Sequence, residues 1–156
     1  FSVFLPSTLF ADNFVSLFME KCAEEERPLN NVNIGRTMLD KMAANTDDEE
    51  LKNAFKELNS IRIISSDNVD DSKYYFKKAN ELIKESFYDY EEVVSLNEMG
   101  SKISVWVKNL NEEMQSLILF AIENDGKFSV ITVSGKINFD SISKLSGSLR
   151  SGAPFP

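Results

Sequence analysis

Apolar residues recur along this chain in two rhythms, and the order in which the rhythms alternate outlines the fold. From Asp12 to Glu26, Phe14, Val15, Leu17, Phe18, Met19 and Cys22 fall at helical spacing, with Asp12 or Asn13 available as N-cap. Arg27-Pro28 predicts the end of that helix, because proline disfavours helical backbone in the residue before it. A short extended piece at 31–33 comes next, and Ile34 to Ala44 reads as a second helix with Met38, Leu39 and Met42 on one stripe. Asn45 to Glu50 combines capping residues with acids suited to the positive end of a helix, which opens a third carrying Leu51, Ala54, Phe55 and Leu58.

Beyond it the rhythm changes. Ser60 to Ser65 is β-branched and partly alternating, the first secure strand. Asp67 to Asp71 is a polar turn leading into the helix Ser72–Phe87, where Tyr75, Phe76, Ala79, Leu82 and Ile83 face one way and a lysine- and glutamate-rich set the other. A meander follows: Val93–Asn97, a turn at Glu98–Ser101, then Lys102–Lys108 with Ile103, Val105 and Val107 opposed to Ser104, Trp106 and Lys108. Leu117–Ile122 is apolar without alternation, which predicts an interior strand covered at least in part on both faces. Asn124-Asp125-Gly126 predicts a tight primed turn into Phe128–Val133, Gly135 permits a sharp exit, and Asp140 caps a last helix with Ile142 and Leu145. The expected architecture is α+β: a two-layer domain with a mostly antiparallel sheet of about five strands and helices mainly on one face. Residues 12–150 form one domain, 1–11 are a signal remnant or a packing segment, and 151–156 are a loose tail.

Composition narrows the chemistry. The chain has 156 residues, no histidine, one cysteine and a net charge of −8. Absence of histidine excludes Ser-His-Asp and Cys-His catalysis and removes the commonest metal ligand. The negative surface repels phosphate backbones, so no nucleic-acid partner is expected. No stretch is long and apolar enough to span a bilayer as a helix. Cys22 is read as a buried apolar side chain, a reactive thiol or an intermolecular bridge.

Asp67, Asp70 and Asp71 lie close enough to suggest calcium but lack the ligand spacing of a calcium loop, and capping explains them. Glu91-Glu92 and Glu112-Glu113 are paired acids that read as solvated charge beside strands. Catalytic, cofactor and metal residues are therefore expected to be none. Trp106, on the polar side of its strand, is a candidate recognition anchor together with Tyr88 and Tyr90; the alternative is that helices or the opening segment cover it.

The run Leu117–Ile122, Asn124-Asp125-Gly126, Phe128–Val133, Gly135-Lys136-Ile137-Asn138-Phe139-Asp140 and Lys144-Leu145 resembles the C-terminal signature of the domain-of-unknown-function family 4252. That family comprises small exported proteins from Bacteroides-type bacteria. Lys136 and Asn138 stand where its acids are expected; Ile61–Ser65, Tyr75–Ile83 and Lys102–Lys108 also fit. The resemblance implies export to the periplasm or outer membrane, with a lipid anchor conceivable in a precursor, and it implies no activity. The functional expectation is a non-enzymatic interaction or regulatory module whose partner is an unidentified envelope protein. The alternative is a carrier holding a small apolar ligand or lipid between helices and sheet, and a carboxylate hydrolase stands behind both.

Overall fold

The computed structural model describes residues 11–25, 29–112 and 114–137. Its elements are α1 (Ala11–Glu24), β1 (Asn30–Ile34), α2 (Arg36–Asn45), α3 (Glu49–Glu57), β2 (Leu58–Ser65), a 3-10 turn (Val69–Asp71), α4 (Ser72–Ser86), β3 (Glu91–Glu98), β4 (Ser101–Asn111), β5 (Met114–Ile122) and β6 (Phe128–Gly135). The Arg27-Pro28 stop, the helix expected after Asp140, the tail 151–156 and all but Ala11 of the opening segment lie outside the described residues.

The local reasons for these elements are mostly those written in the sequence. Asp48 caps α3, its Oδ1 accepting from the backbone N–H of Glu50 at 3.0 Å and of Leu51 at 3.2 Å. Gly35 breaks the chain between β1 and α2, so Ile34 ends a strand instead of starting the helix. At the other end of α3, Arg36 donates to the carbonyls of Phe55 (3.1 Å), Lys56 (3.2 Å) and Leu58, and its guanidinium is held by Asp40 at 2.8 Å. A cation there meets the negative end of the helix, a cap that local sequence spacing does not announce.

The class is α+β, with one antiparallel sheet in the order β1-β2-β6-β5-β4-β3. It has six strands, because the extended piece at 30–34 pairs with β2 as an edge. The helices, however, are not gathered mainly on one face. α1 and α4 share an aromatic core with Ile64, Trp106, Ile118, Phe120, Ile122, Phe128 and Val130. α2 and α3 share a second, aliphatic core with Ile61, Val105, Leu117, Leu119, Ala121, Ile131 and Val133. The sheet therefore lies between two helical layers, and the expected two-layer packing becomes three. The cause is β5, apolar at successive positions: alternate side chains point to opposite faces, so both faces need a cover.

The primed geometry expected at one turn is found at another. At Asn124–Gly126 only Gly126 has positive φ (85°), and its N–H donates to the Glu123 carbonyl at 2.8 Å. This is not the two-residue primed turn expected there; that geometry occurs at Met99 (φ 50°) and Gly100 (φ 87°), between β3 and β4.

Gly135 has φ of 138°, and a Cβ on it would lie 2.7 Å from the Leu58 Cα and 2.8 Å from the Glu57 carbonyl oxygen. Gly135→Ala is expected to cost about 3 kcal/mol, near the top of the ordinary range for point substitutions. Urea unfolding should show a lowered midpoint; an unchanged midpoint would mean that β2 and β6 do not approach this closely.

Candidate interaction edge

An open sheet has two edges, and here they differ in chemistry. β1 is a five-residue strand. Two of its asparagines are engaged: the Asn30 amide donates to Asp67 Oδ2 at 3.1 Å, and Asn31 Oδ1 accepts from Arg62 Nε at 3.1 Å. β3 is an eight-residue strand exposed along its whole length. Of the large apolar side chains exposed among the described residues, Tyr88 (75%), Val93, Val94, Leu96 and Met99 (93%) lie on or beside it, and only Val32 and Val69 lie elsewhere. Val94 pairs with Val105 and Leu96 with Ile103, which puts both on the face that carries the aliphatic core. One set of alternate backbone N–H and C=O groups along β3 points away from β4, as in any edge strand.

Polar contacts fasten this edge to the body. Trp106 Nε1 donates to Ser104 Oγ at 2.7 Å, and Ser104 donates to Glu92 Oε2 at 2.6 Å. The Tyr90 hydroxyl lies 2.8 Å from Ser116 Oγ. Lys108 Nζ is 3.6 Å from Asp89 Oδ2 and 5.9 Å from the Tyr90 ring centre. Near the hairpin tip, Lys102 Nζ sits 5.7 Å over the Phe76 ring, and Ser101 donates to Asn124 Oδ1 at 2.5 Å. The hairpin is thus held from beneath while its outer flank stays bare.

Trp106, Tyr88 and Tyr90 do not form one recognition surface. Trp106 is 8% exposed and Tyr90 5%, both inside the aromatic core that α1 and α4 share with the sheet, and only Tyr88 reaches solvent. The helical cover of that face is the reason. Cys22 is buried in the same core.

The acids are dispersed. Asn68, with its Oδ1 accepting from the Asp70 N–H and its amide donating to Asp71 Oδ2, organises the turn at 67–71. Glu91 and Glu92 lie on β3, Glu112 is exposed beyond β4, and Glu113 is outside the described residues. Among the described residues no three Cys, Asp or Glu side chains are grouped to hold a metal ion. A cavity of 380 Å³ beside α3 is lined by Glu50, Asn53, Ala54, Glu57, Lys136 and Ile137. Another of 260 Å³ lies at the β5–β6 turn, beside Asp67, Glu123, Asp125, Lys127 and Ser129. The first is bounded by α3 and the two residues after β6, with Ala54 and Ile137 giving it apolar surface; the second is bounded by strands and turns alone, with Ile63, Phe128 and Ile131 beside its polar groups. No helix among the described residues is long and apolar enough to cross a membrane.

The fold and edge define an α+β domain with a doubly covered antiparallel sheet and one bare hairpin. Residues 24–145, well over half of the chain, match the domain of unknown function DUF4252, and the chain belongs to that family. No curated protein and no solved structure matches the chain.

Val93, Val94, Leu96 and Met99 are not singled out by the sequence, although the strand and turn that carry them are. What gives them significance is the edge position of β3, and that is set by pairing order.

Met99 holds a left-handed backbone, which costs a non-glycine, non-asparagine residue roughly 1 kcal/mol. Met99→Asn is expected to raise stability by about 0.5–1 kcal/mol, read as a higher urea midpoint at unchanged slope. Tyr90→Phe is expected to lower it by about 1–2 kcal/mol, since Ser116, 1% exposed, loses its hydroxyl partner. An unchanged midpoint would show that the Tyr90–Ser116 contact holds nothing.

Proposed function

We propose that this chain is a non-enzymatic interaction module of the bacterial cell envelope, and that its partner docks along β3. The observation that carries the reading is the concentration of exposed apolar side chains between Tyr88 and Met99, on a strand with an unpaired flank. Exposed apolar surface gathered on an element with free backbone groups suits strand-wise recognition, where main-chain hydrogen bonds supply affinity and alternate side chains supply selectivity. The absence of histidine and the use of Asp48, Asn68 and Asp125 in caps and turns support a non-catalytic role. Placement at the envelope rests on the family resemblance to exported proteins.

Photo-crosslinking in the native cell tests this. A photoreactive residue at Leu96 is expected to trap one dominant protein that fractionates with the envelope, while the same residue at exposed Lys77 on α4 traps none. Equal yields from the two positions, or an adduct only in the cytoplasmic fraction, would overturn the reading.

A further inference from the structure

β3 carries three carboxylates, Glu91 and Glu92 at one end and Glu98 at the other, and no basic residue. Glu92 is engaged by Ser104, whereas Glu91 and Glu98 have no ion-pair or side-chain hydrogen-bond partner among the described residues. The nearest lysines are directed elsewhere: Lys102 over Phe76, and Lys108 toward Asp89 and Tyr90. Between the acids lie Val93, Val94, Ser95, Leu96 and Asn97. The edge is therefore an apolar centre between two uncompensated negative ends.

Resting on the docking reading above, we infer that the occupant of β3 is an extended segment of another protein with an apolar middle and lysine or arginine at both ends, added as a further strand. A second copy of this chain is the poorer match in charge. Its β3 would bring the same three acids and no lysine or arginine to the shared edge. Acids gathered along one strand pair repel, and each copy brings a net charge of −8 as well. The irregularity between Glu92 and Val94 shortens the regular stretch to Val94–Glu98. Bulges and edge charges usually guard a strand against indiscriminate pairing. The same devices select a partner when that partner supplies the opposite charge, because specificity comes from penalties on wrong pairs as much as from gains on right ones.

The test uses synthetic peptides as long as β3, with alternating valine and threonine in the middle and either lysine or glutamate at both ends. Amide shifts of the full chain report where each binds and how tightly. The lysine peptide is expected to perturb Val94–Glu98 and to bind at least roughly tenfold tighter than the glutamate peptide at low salt, the gap closing as salt rises. N-methylation of alternate peptide amides should abolish binding. In the double variant Glu91→Lys/Glu98→Lys, both sites exposed, the preference should reverse with unfolding midpoint unchanged. Equal binding of both peptides at β3 would overturn the charge inference and leave the docking edge standing. Perturbation elsewhere, or none, would overturn the inference, and the Leu96 crosslink then judges the edge separately. Concentration-dependent self-association through β3 would identify a second copy as the occupant and refute it.

Discussion

Neighbouring residues on β5 serve different cores. Ile118, Phe120 and Ile122 enter the aromatic layer beneath α1 and α4, while Leu117, Leu119 and Ala121 enter the aliphatic layer beneath α2 and α3. Burying a single such side chain stabilises by roughly 1.5–3 kcal/mol, so a strand apolar on both faces gains only if both are covered. The helices answer that requirement in chain order. α2 and α3 join β1 to β2 on one side, and α4 connects β2 to the far edge strand β3 on the other. Phe120 stands at the centre of the aromatic layer, 6.2 Å from Phe14 of α1 and 5.4 Å from Phe76 of α4. Phe128 of β6 meets Phe18 at 5.9 Å and Tyr75 at 5.4 Å.

The cover thins toward β3. Val105 and Val107 on β4 are buried, yet the strand paired with them is exposed throughout. Polar links bridge the step between these regimes: Trp106 to Ser104 to Glu92 ties β3 to β4, and Tyr90 to Ser116 ties the residue before β3 to β5. Directional hydrogen bonds and a ring over a lysine keep the hairpin fixed without adding apolar cover on its outer side. Rigidity beneath and exposure above are what a docking edge requires, since a preformed strand loses little entropy when a partner joins it.

Much of this was legible residue by residue. The Asp48 cap, the buried stripe Tyr75–Ala79–Leu82–Ile83 of α4 and the opposed sets on β4 all follow from local periodicity. The non-alternating run Leu117–Ile122 even carried the three-layer answer, because a strand covered on both faces contradicts helices mainly on one. The burial of Trp106 shows the limit. Its neighbours Ser104 and Lys108 make its face look polar, and only the cover that α1 and α4 give that face decides otherwise. The Arg36 cap of α3 joins residues about twenty apart, and the edge position of β3 depends on β2 inserting beside β6; pairings of that range leave no local pattern. At the turns, Asn-Asp-Gly suggested a primed geometry that Met99-Gly100 adopts instead, since the register of each hairpin, set by the buried faces, overrides the preference of its loop.

The central claim is that β3 is held firmly on one side and open on the other in the isolated chain. Amide hydrogen exchange measures that directly, residue by residue. The outward-facing amides of Val94–Glu98 should exchange orders of magnitude faster than those of Leu117–Ile122, which should open only with global unfolding. Protection along the whole of β3 equal to that of β5 would mean the edge is already covered, and the docking surface would not exist.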